Sequence, residues 1–446
     1  MDTKEQRSPD TQRPFVGRDD ELETLGSCLG QGRLILITGD PGIGKTRLAE
    51  EFAGQARGRG ALVRWGRCWD GDGAPAFWPW IEIVRSIAHH VDLETLRAQL
   101  GAGAADIAHM VDDVRARFPD LPDPPRLDPK QARFRLFDSI TTFFKNVART
   151  QPLVLVLEDL HWADTPSLLL LQFLAREVET APLLLIGTFR DAEVGRADPL
   201  ADALGELVRH RYCERMPLGG LGETDVRCYV ELTLGREAAE NLAASLHRET
   251  DGNPFFLGEI VRLLAREPRT EAPRASRPFG IPETVRDVIA RRLRAYPPEC
   301  IEVLRVASVV GRAFTLAVLQ RVPELERHPL LDLLSEAIAG RLLTDTSDVT
   351  GVYWFTHSLI REALYNEIPM ARRVQLHWDV GEALEAYHRP SVGAHAAELA
   401  HHFLQAAAND GAERAIQYAV RAGEYATELL AHEEAVAHYA RALHAL

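Results

Sequence analysis

Lysine is almost missing from this sequence. Only four of its 51 basic residues are lysines (Lys4, Lys45, Lys130 and Lys145), and the rest are arginines. That bias reads as the codon usage of a GC-rich bacterial genome, and it makes any position that keeps a lysine worth inspection. Cysteine is also scarce. The five cysteines (Cys28, Cys68, Cys213, Cys228, Cys300) show no C-x-x-C spacing, which excludes a thiolate zinc module and implies reduced thiols in a cytoplasmic protein. Long apolar runs are missing too. None approaches the ~20 residues needed to span a bilayer, and the polar stretch Met1–Arg13 lacks the apolar core of a signal peptide. Positive charge is in deficit: the net charge of −14 argues against extensive contact with nucleic acid, which wants a basic face. What remains is a chain of 446 residues, 46% hydrophobic and 26% charged, long enough for roughly two to four domains.

One of the four lysines stands in Gly39-Asp40-Pro41-Gly42-Ile43-Gly44-Lys45-Thr46. An apolar run, Leu34–Ile37, precedes it, and Arg47–Phe52 follows with helical spacing. Strand, glycine-rich turn and helix in that order make G-x-x-x-x-G-K-[ST] a phosphate-binding loop. Its glycines let successive N–H groups point at phosphate oxygens, and the helix adds the positive end of its dipole. The expected nucleotide contacts run through Gly39, Gly42, Ile43, Gly44, Lys45, Thr46 and Arg47. Lys45 should reach the β- and γ-phosphates, and the Thr46 hydroxyl should bind Mg²⁺.

Unbroken apolar runs at Leu153–Leu157 and Leu183–Thr188, separated by helical segments, predict a parallel sheet covered on both faces, with further strands expected near Ala61–Trp65 and Tyr212–Leu218. Leu153–Leu157 ends in Glu158-Asp159. Glu158 is expected in the Mg²⁺ shell and Asp159 as the group that polarises the attacking water. A Glu on the metal side, where Asp is more usual, leaves that division of labour open. Arg190, ending Gly187–Arg190, is placed to sense a γ-phosphate. Asp164, ahead of Thr165-Pro166-Ser167, reads as a helix N-cap, and His161 as a structural neighbour of the site. The aromatic loop Cys68–Trp80 reads as packing against the sheet, with a partner contact as the alternative.

The expected organisation is a disordered stretch at 1–13, an ATPase domain at 14–220, a small helical domain at 221–267 and a linker at 268–281. A winged-helix domain at 282–370 and helical repeats from 371 to 446 complete it. Strand-like pieces at Leu342–Thr346 and Val352–Phe355 support the winged helix. Tyr418, Ala422 and Tyr425 carry the helical period of the last segment. The fold class is therefore α/β: a P-loop NTPase parallel sheet covered by helices, then the helical, winged-helix and TPR-like parts. Helical arrays want about three repeats to close a core, and there is room for roughly two. The chain is accordingly expected either to be a fragment or to have a partner covering its last helix.

Val16-Gly17-Arg18, Gly39–Thr46, Leu153–Asp164, Gly187–Arg190, Asp251-Gly252-Asn253-Pro254 and Phe355–Arg361 occur in the order seen in the signal-transduction ATPases with numerous domains. Within that family the sequence most resembles the branch behind LuxR-type large ATP-binding transcriptional regulators. The resemblance covers about residues 14–370 and, more loosely, the helices to 446. It implies that Val16 meets the adenine through its backbone, that Pro254 packs on the base, and that His357 touches the β-phosphate of ADP in a closed form. It further implies a slow, Mg²⁺-dependent ATPase switch that self-associates with ATP and responds to an inducer or protein partner at its C-terminal helices. Transcription would be controlled by an output domain outside this chain, with no direct DNA contact and no membrane. The alternatives are an AAA-type remodelling ATPase with continuous turnover, the ATPase module of a nucleotide cyclase, and a scaffold that holds nucleotide permanently.

Overall fold

A computed structural model of the chain describes residues 14–69, 73, 75–195, 198–266, 289–290, 292–345, 351–406 and 411–445. The expected disordered stretch at 1–13 and the linker at 268–281 lie outside them. Five strands, β1 (Arg33–Thr38), β2 (Leu62–Arg67), β3 (Leu153–Glu158), β4 (Leu183–Phe189) and β5 (Cys213–Pro217), form a wholly parallel sheet in the order β2-β3-β4-β1-β5. β3 and β4 are buried at every position, which is why their sequences run apolar without alternation.

Helices cover both faces. On one, Asp19–Cys28 and the phosphate-loop helix Lys45–Gly58 pack Leu25, Leu48 and Phe52 against Ile35, Ile37, Val154 and Ile186. On the other, Trp78–His90, Pro129–Ala148 and Thr165–Glu177 bury Trp80, Phe143, Phe144 and Leu171 against Leu34, Leu155 and Leu185. Each fully buried aromatic or leucine removes enough apolar surface to contribute about 1.5–3 kcal/mol. Asp164 caps Thr165–Glu177 as its sequence position predicts, accepting from the Ser167 amide at 2.9 Å. Among the described residues of the aromatic loop, Cys68, Ala76, Phe77 and Trp80 are buried, and the Trp80 indole donates to the Ser167 carbonyl at 3.1 Å.

β2 runs two residues beyond the stretch expected from the sequence, and that extension sets Arg67 in register with Glu158. After β5, three helices (Glu223–Leu234, Arg236–Thr250 and Pro254–Arg266) close their own small core around Val226, Leu246 and Leu257. A second α/β cluster follows. Helices Pro298–Val310, Leu330–Ala339 and Ser358–Glu367 accompany an antiparallel sheet of β6 (Ala313–Thr315), β7 (Leu343–Asp345) and β8 (Val352–Phe355), ordered β6-β8-β7. This winged-helix arrangement includes a strand, β6, too short to show in the sequence.

Helices Met370–His388, Ala396–Gln405, Gly411–Glu428 and His432–Ala445 stack in succession. The inner face of the last pair does not wait for a partner. Ala426, Leu429, Ala431 and Ala435 join the core on the ATPase sheet, Arg133 pairs with Glu433 at 2.8 Å, and His109 Nε2 lies 3.0 Å from the Glu428 carbonyl. Only the outer face, with Val436 and Leu443, is exposed. Among the described residues, no helix is long and apolar enough to cross a membrane.

Candidate nucleotide site

The site lies at the carboxyl ends of β1, β3 and β4, where an open parallel sheet leaves a crevice for ligands. Gly42 and Gly44 take left-handed backbone conformations, φ 78° and 100°, that L side chains rarely adopt. A Cβ on Gly42 would also lie 2.8 Å from the Phe255 Cβ. The loop therefore curls tightly and presents the first amides of Lys45–Gly58 at a helix end with no side-chain cap. The Lys45 ammonium folds back onto the loop, donating to the carbonyls of Gly39 (2.7 Å) and Asp40 (3.1 Å). Burial, reinforced by Arg190, pulls its pKa down to about 8 against the opposing attraction of Asp159, Asp40 and Glu193.

Thr46 and Glu158 meet directly: the threonine hydroxyl donates to Glu158 Oε1 at 2.6 Å. Arg67 donates to the other carboxylate oxygen at 2.8 Å. Burial by itself would raise the Glu158 carboxyl, but Arg312, Arg67 and the Thr46 hydroxyl overcome it and hold the pKa at about 2. Asp159 sits at φ 60°, a left-handed backbone that costs about 1–3 kcal/mol and gathers at functional sites. Its amide donates to Thr188 Oγ1 at 3.0 Å. Burial raises its pKa, with the Arg312 charge opposing and Glu158 adding to the rise.

Arg312 is the residue that sequence reasoning missed. It stands one residue before β6, and its guanidinium spans both carboxylates, donating to Asp159 Oδ2 and to Glu158 Oε1 (3.2 Å). Trp354 of β8 lies over Arg67 at 4.6 Å, a second contact from the winged helix. Arg190 follows β4 as expected, but its partners include Glu193, the Ser358 hydroxyl at 2.6 Å and Glu362 at 3.8 Å, the last two on Ser358–Glu367. His161 lies beside Glu193 at 3.2 Å with its side chain 1% exposed, in keeping with a structural neighbour. His357 is the N-cap residue of Ser358–Glu367, and its ring meets Phe255 edge-on at 4.5 Å.

The Gly252-Asn253-Pro254 turn grips the phosphate loop. Asn253 Nδ2 donates to the Pro41 carbonyl at 3.1 Å, and the Phe255 amide to the Gly42 carbonyl at 3.3 Å. The Pro254 ring reaches Gly44, with Cγ 3.8 Å from where a Cβ would stand there. Val16 packs against the three-helix core, and Arg18 donates to the Gly219 carbonyl, tying the segment before the first helix to the end of β5. Ile43 is buried under the loop, while Arg47 faces Phe15 and pairs with Glu51 at 3.2 Å. Arg67 was detectable in principle from strand register. Arg312 carried no local signal, because its partners lie more than 150 residues away.

A glycine-rich loop opening a helix, with a buried acidic pair on the strand two places along, defines a P-loop nucleotide-binding site. Residues 14–186 match the model of the AAA ATPase domain. The chain carries an AAA-type P-loop ATPase module. Over 396 residues it is 26% identical to an uncharacterized protein of Rhizobium meliloti (strain 1021), a match covering 82% of this chain and 36% of that protein. Its fold is similar to the crystal structure of the Signal Transduction ATPase with Numerous Domains (STAND) protein with a tetratricopeptide repeat sensor from Pyrococcus horikoshii. That superposition has a TM-score of 0.53 at 14% identity, over 98% of this chain and 65% of the other. A Walker-type ATPase of Pyrococcus abyssi aligns at 15% identity over 78% of this chain and 96% of that one, with a TM-score of 0.35. The chain thus spans about a third of the Rhizobium relative and under two thirds of the Pyrococcus horikoshii structure.

Proposed function

We propose that this chain is an ATP/ADP-controlled switch with slow hydrolysis, and that the arrangement described here is its closed form. The observation that carries this is Arg312: a side chain of the winged helix pairs with both acidic residues that hydrolysis needs. While it stays there, the winged helix is tied to the carboxylates and Asp159 is held away from water.

The donor set fits Mg²⁺. Thr46 and Glu158 bring hard oxygen donors to one point, and the carboxylate pair already accommodates a cationic group. Thr46 and Glu158 would hold the ion, which when bound neutralises phosphate charge. Lys45 would leave the carbonyls of Gly39 and Asp40 for the β- and γ-phosphates, alongside the amides of Gly42, Ile43, Gly44 and Arg47. Asp159 would orient the attacking water. Arg190 would exchange Ser358 for a γ-phosphate, which gives ATP a means of loosening the winged helix that ADP lacks. Val16 and Pro254 would bracket the base, and His357, already beside Phe255, would reach the β-phosphate. Opening would expose surface for self-association, an inducer or protein partner would act at the C-terminal helices, and transcriptional output of the LuxR-regulator kind would lie outside this chain.

The test is to denature the purified protein, identify any nucleotide released, and time ATP turnover beside Lys45→Ala. Retained ADP with turnover slower than about one per minute is the expected result. Fast turnover that climbs with protein concentration would instead indicate a remodelling motor.

A further inference from the structure

A second polar cluster lies among the C-terminal helices, apart from the residues of the phosphate loop. His388 closes helix Met370–His388, His395 ends the short 3₁₀ turn Arg389–His395, and Glu398 belongs to the first turn of Ala396–Gln405. One donor atom from each residue lies within 4.8 Å of the other two. His388 Nε2 is 3.9 Å and His395 Nδ1 is 3.6 Å from the same oxygen, Glu398 Oε2. Both distances exceed a hydrogen bond. The two imidazoles are stacked, with centroids 3.4 Å apart and planes at 18°, so their edge nitrogens approach that oxygen side by side.

The Glu398 side chain is only 10% exposed. A carboxylate buried to that degree calls for a counter-charge, and each imidazole can turn a ring-nitrogen lone pair toward a cation. A divalent cation would supply the charge and use all three donors. Tetrahedral zinc, with bonds of about 2.0–2.2 Å, separates its donors by roughly 3.3–3.6 Å. The two nitrogen–oxygen separations, 3.9 and 3.6 Å, need closing by a few tenths of an ångström, and the two nitrogens, within 4.8 Å of each other, would converge on the ion by rotation of the rings.

We propose that His388, His395 and Glu398 form a binding site for a transition-metal dication of the zinc type, with a fourth position open to water. Two imidazoles and one carboxylate favour zinc over magnesium or calcium, which prefer all-oxygen sites. The site also meets the ATPase domain at one loop residue, Gly73. A Cβ added to Gly73, in the aromatic loop after β2, would stand 3.1 Å from the Glu398 Cα and 3.3 Å from the His401 Cβ. Gly73 thus stands against the turn of helix that supplies the carboxylate. A bound cation would brace this contact.

The experiment titrates the full chain with Zn²⁺, and separately with Co²⁺ while following its visible absorption, in excess Mg²⁺ and ADP to occupy the phosphate-loop site. The expected result is one equivalent bound, with the tetrahedral cobalt spectrum of nitrogen and oxygen ligands. Affinity should fall at least about tenfold in both His395→Ala and Glu398→Gln, with far-ultraviolet dichroism and ADP binding unchanged. Glu398→Gln is nearly isosteric and His395 is partly exposed, so both variants should fold. Equal binding by the wild type and both variants would overturn the proposal, as would no binding to the wild type at about 100 µM metal.

Discussion

The Arg312 guanidinium donates to Glu158 Oε1 at 3.2 Å and also holds Asp159, so the winged helix and the acidic strand end share one buried ion cluster. Breaking such a cluster from one side leaves charge without its partner, which costs about 3–5 kcal/mol in buried settings. Arg312→Ala should therefore lower the thermal midpoint by several degrees, while releasing a fluorescent ADP analogue faster and hydrolysing ATP faster than the wild type. Arg312→Lys should recover part of the slow release. Stopped-flow release is the readout, and rates equal to wild type would show that Arg312 is no latch.

Asn253 offers a narrower test. Its side chain donates to the Pro41 carbonyl and accepts from the Phe255 amide. Asn253→Ala removes both bonds, each contributing about 1 kcal/mol net. The three-helix segment should loosen on the phosphate loop, and amide exchange should accelerate across residues 39–46 and 253–257. Unchanged exchange there would mean that Phe255 packing alone holds the seam.

Lys45 makes binding depend on pH. Burial lowers its pKa from 10.5 to about 8, so above pH 8 the free protein carries it increasingly neutral. Phosphate favours the charged form and pulls the pKa back up, so binding above pH 8 takes up a proton. ADP affinity should fall between pH 8 and the pKa of the complex, by at most about tenfold per pH unit. Calorimetry at pH 9 in buffers of differing ionisation enthalpy should register the uptake, and Lys45→Ala should abolish it. The same sign analysis gives folding stability: between about pH 8 and 10.5 the unfolded chain holds more protons at this lysine than the folded one. The Lys45 contribution to stability therefore rises with pH across that window.

Asp164 is a stability prediction apart from chemistry. Its buried carboxylate accepts from the Ser167 amide and hydroxyl and from the Phe77 amide. Asp164→Ala strips a helix cap and orphans a loop amide, and should cost about 2 kcal/mol or more. Asp164→Asn, which keeps an acceptor, should cost less. Thermal melts of both with ADP affinity in parallel would check this; a neutral Asp164→Ala would rule out the cap as a stabilising element.

The elements that the sequence announced are those whose signal is local. Val154 and Ile186 sit in strands buried on both faces, so an unbroken apolar run was enough. Asp164 was legible because a cap acts within three residues. The Gly39–Thr46 loop could be read because its chemistry is carried by consecutive backbone amides. Arg312 and Ser358 could not be read, since their meaning comes from a docking that brings them to Asp159 and Arg190 from far along the chain. The period of Tyr418, Ala422 and Tyr425 shows a helix face without showing what covers it, because periodicity reports that a face is apolar and nothing more; Leu429 and Ala435 lie in the core on the ATPase sheet. Here the ATPase sheet's own helical layer covers it.

That return of the last helices makes the chain a closed circuit: the ATPase sheet touches the winged helix through Arg312, and the final helices touch the sheet's covering helix Pro129–Ala148 where Arg133 meets Glu433. Each seam is held at high effective concentration by the other, since neither can drift while its counterpart is shut. Opening the ring as a unit must therefore overcome both seams, and weakening either one lowers that combined threshold. Two weak locks in series around a loop behave as one strong lock with two keyholes.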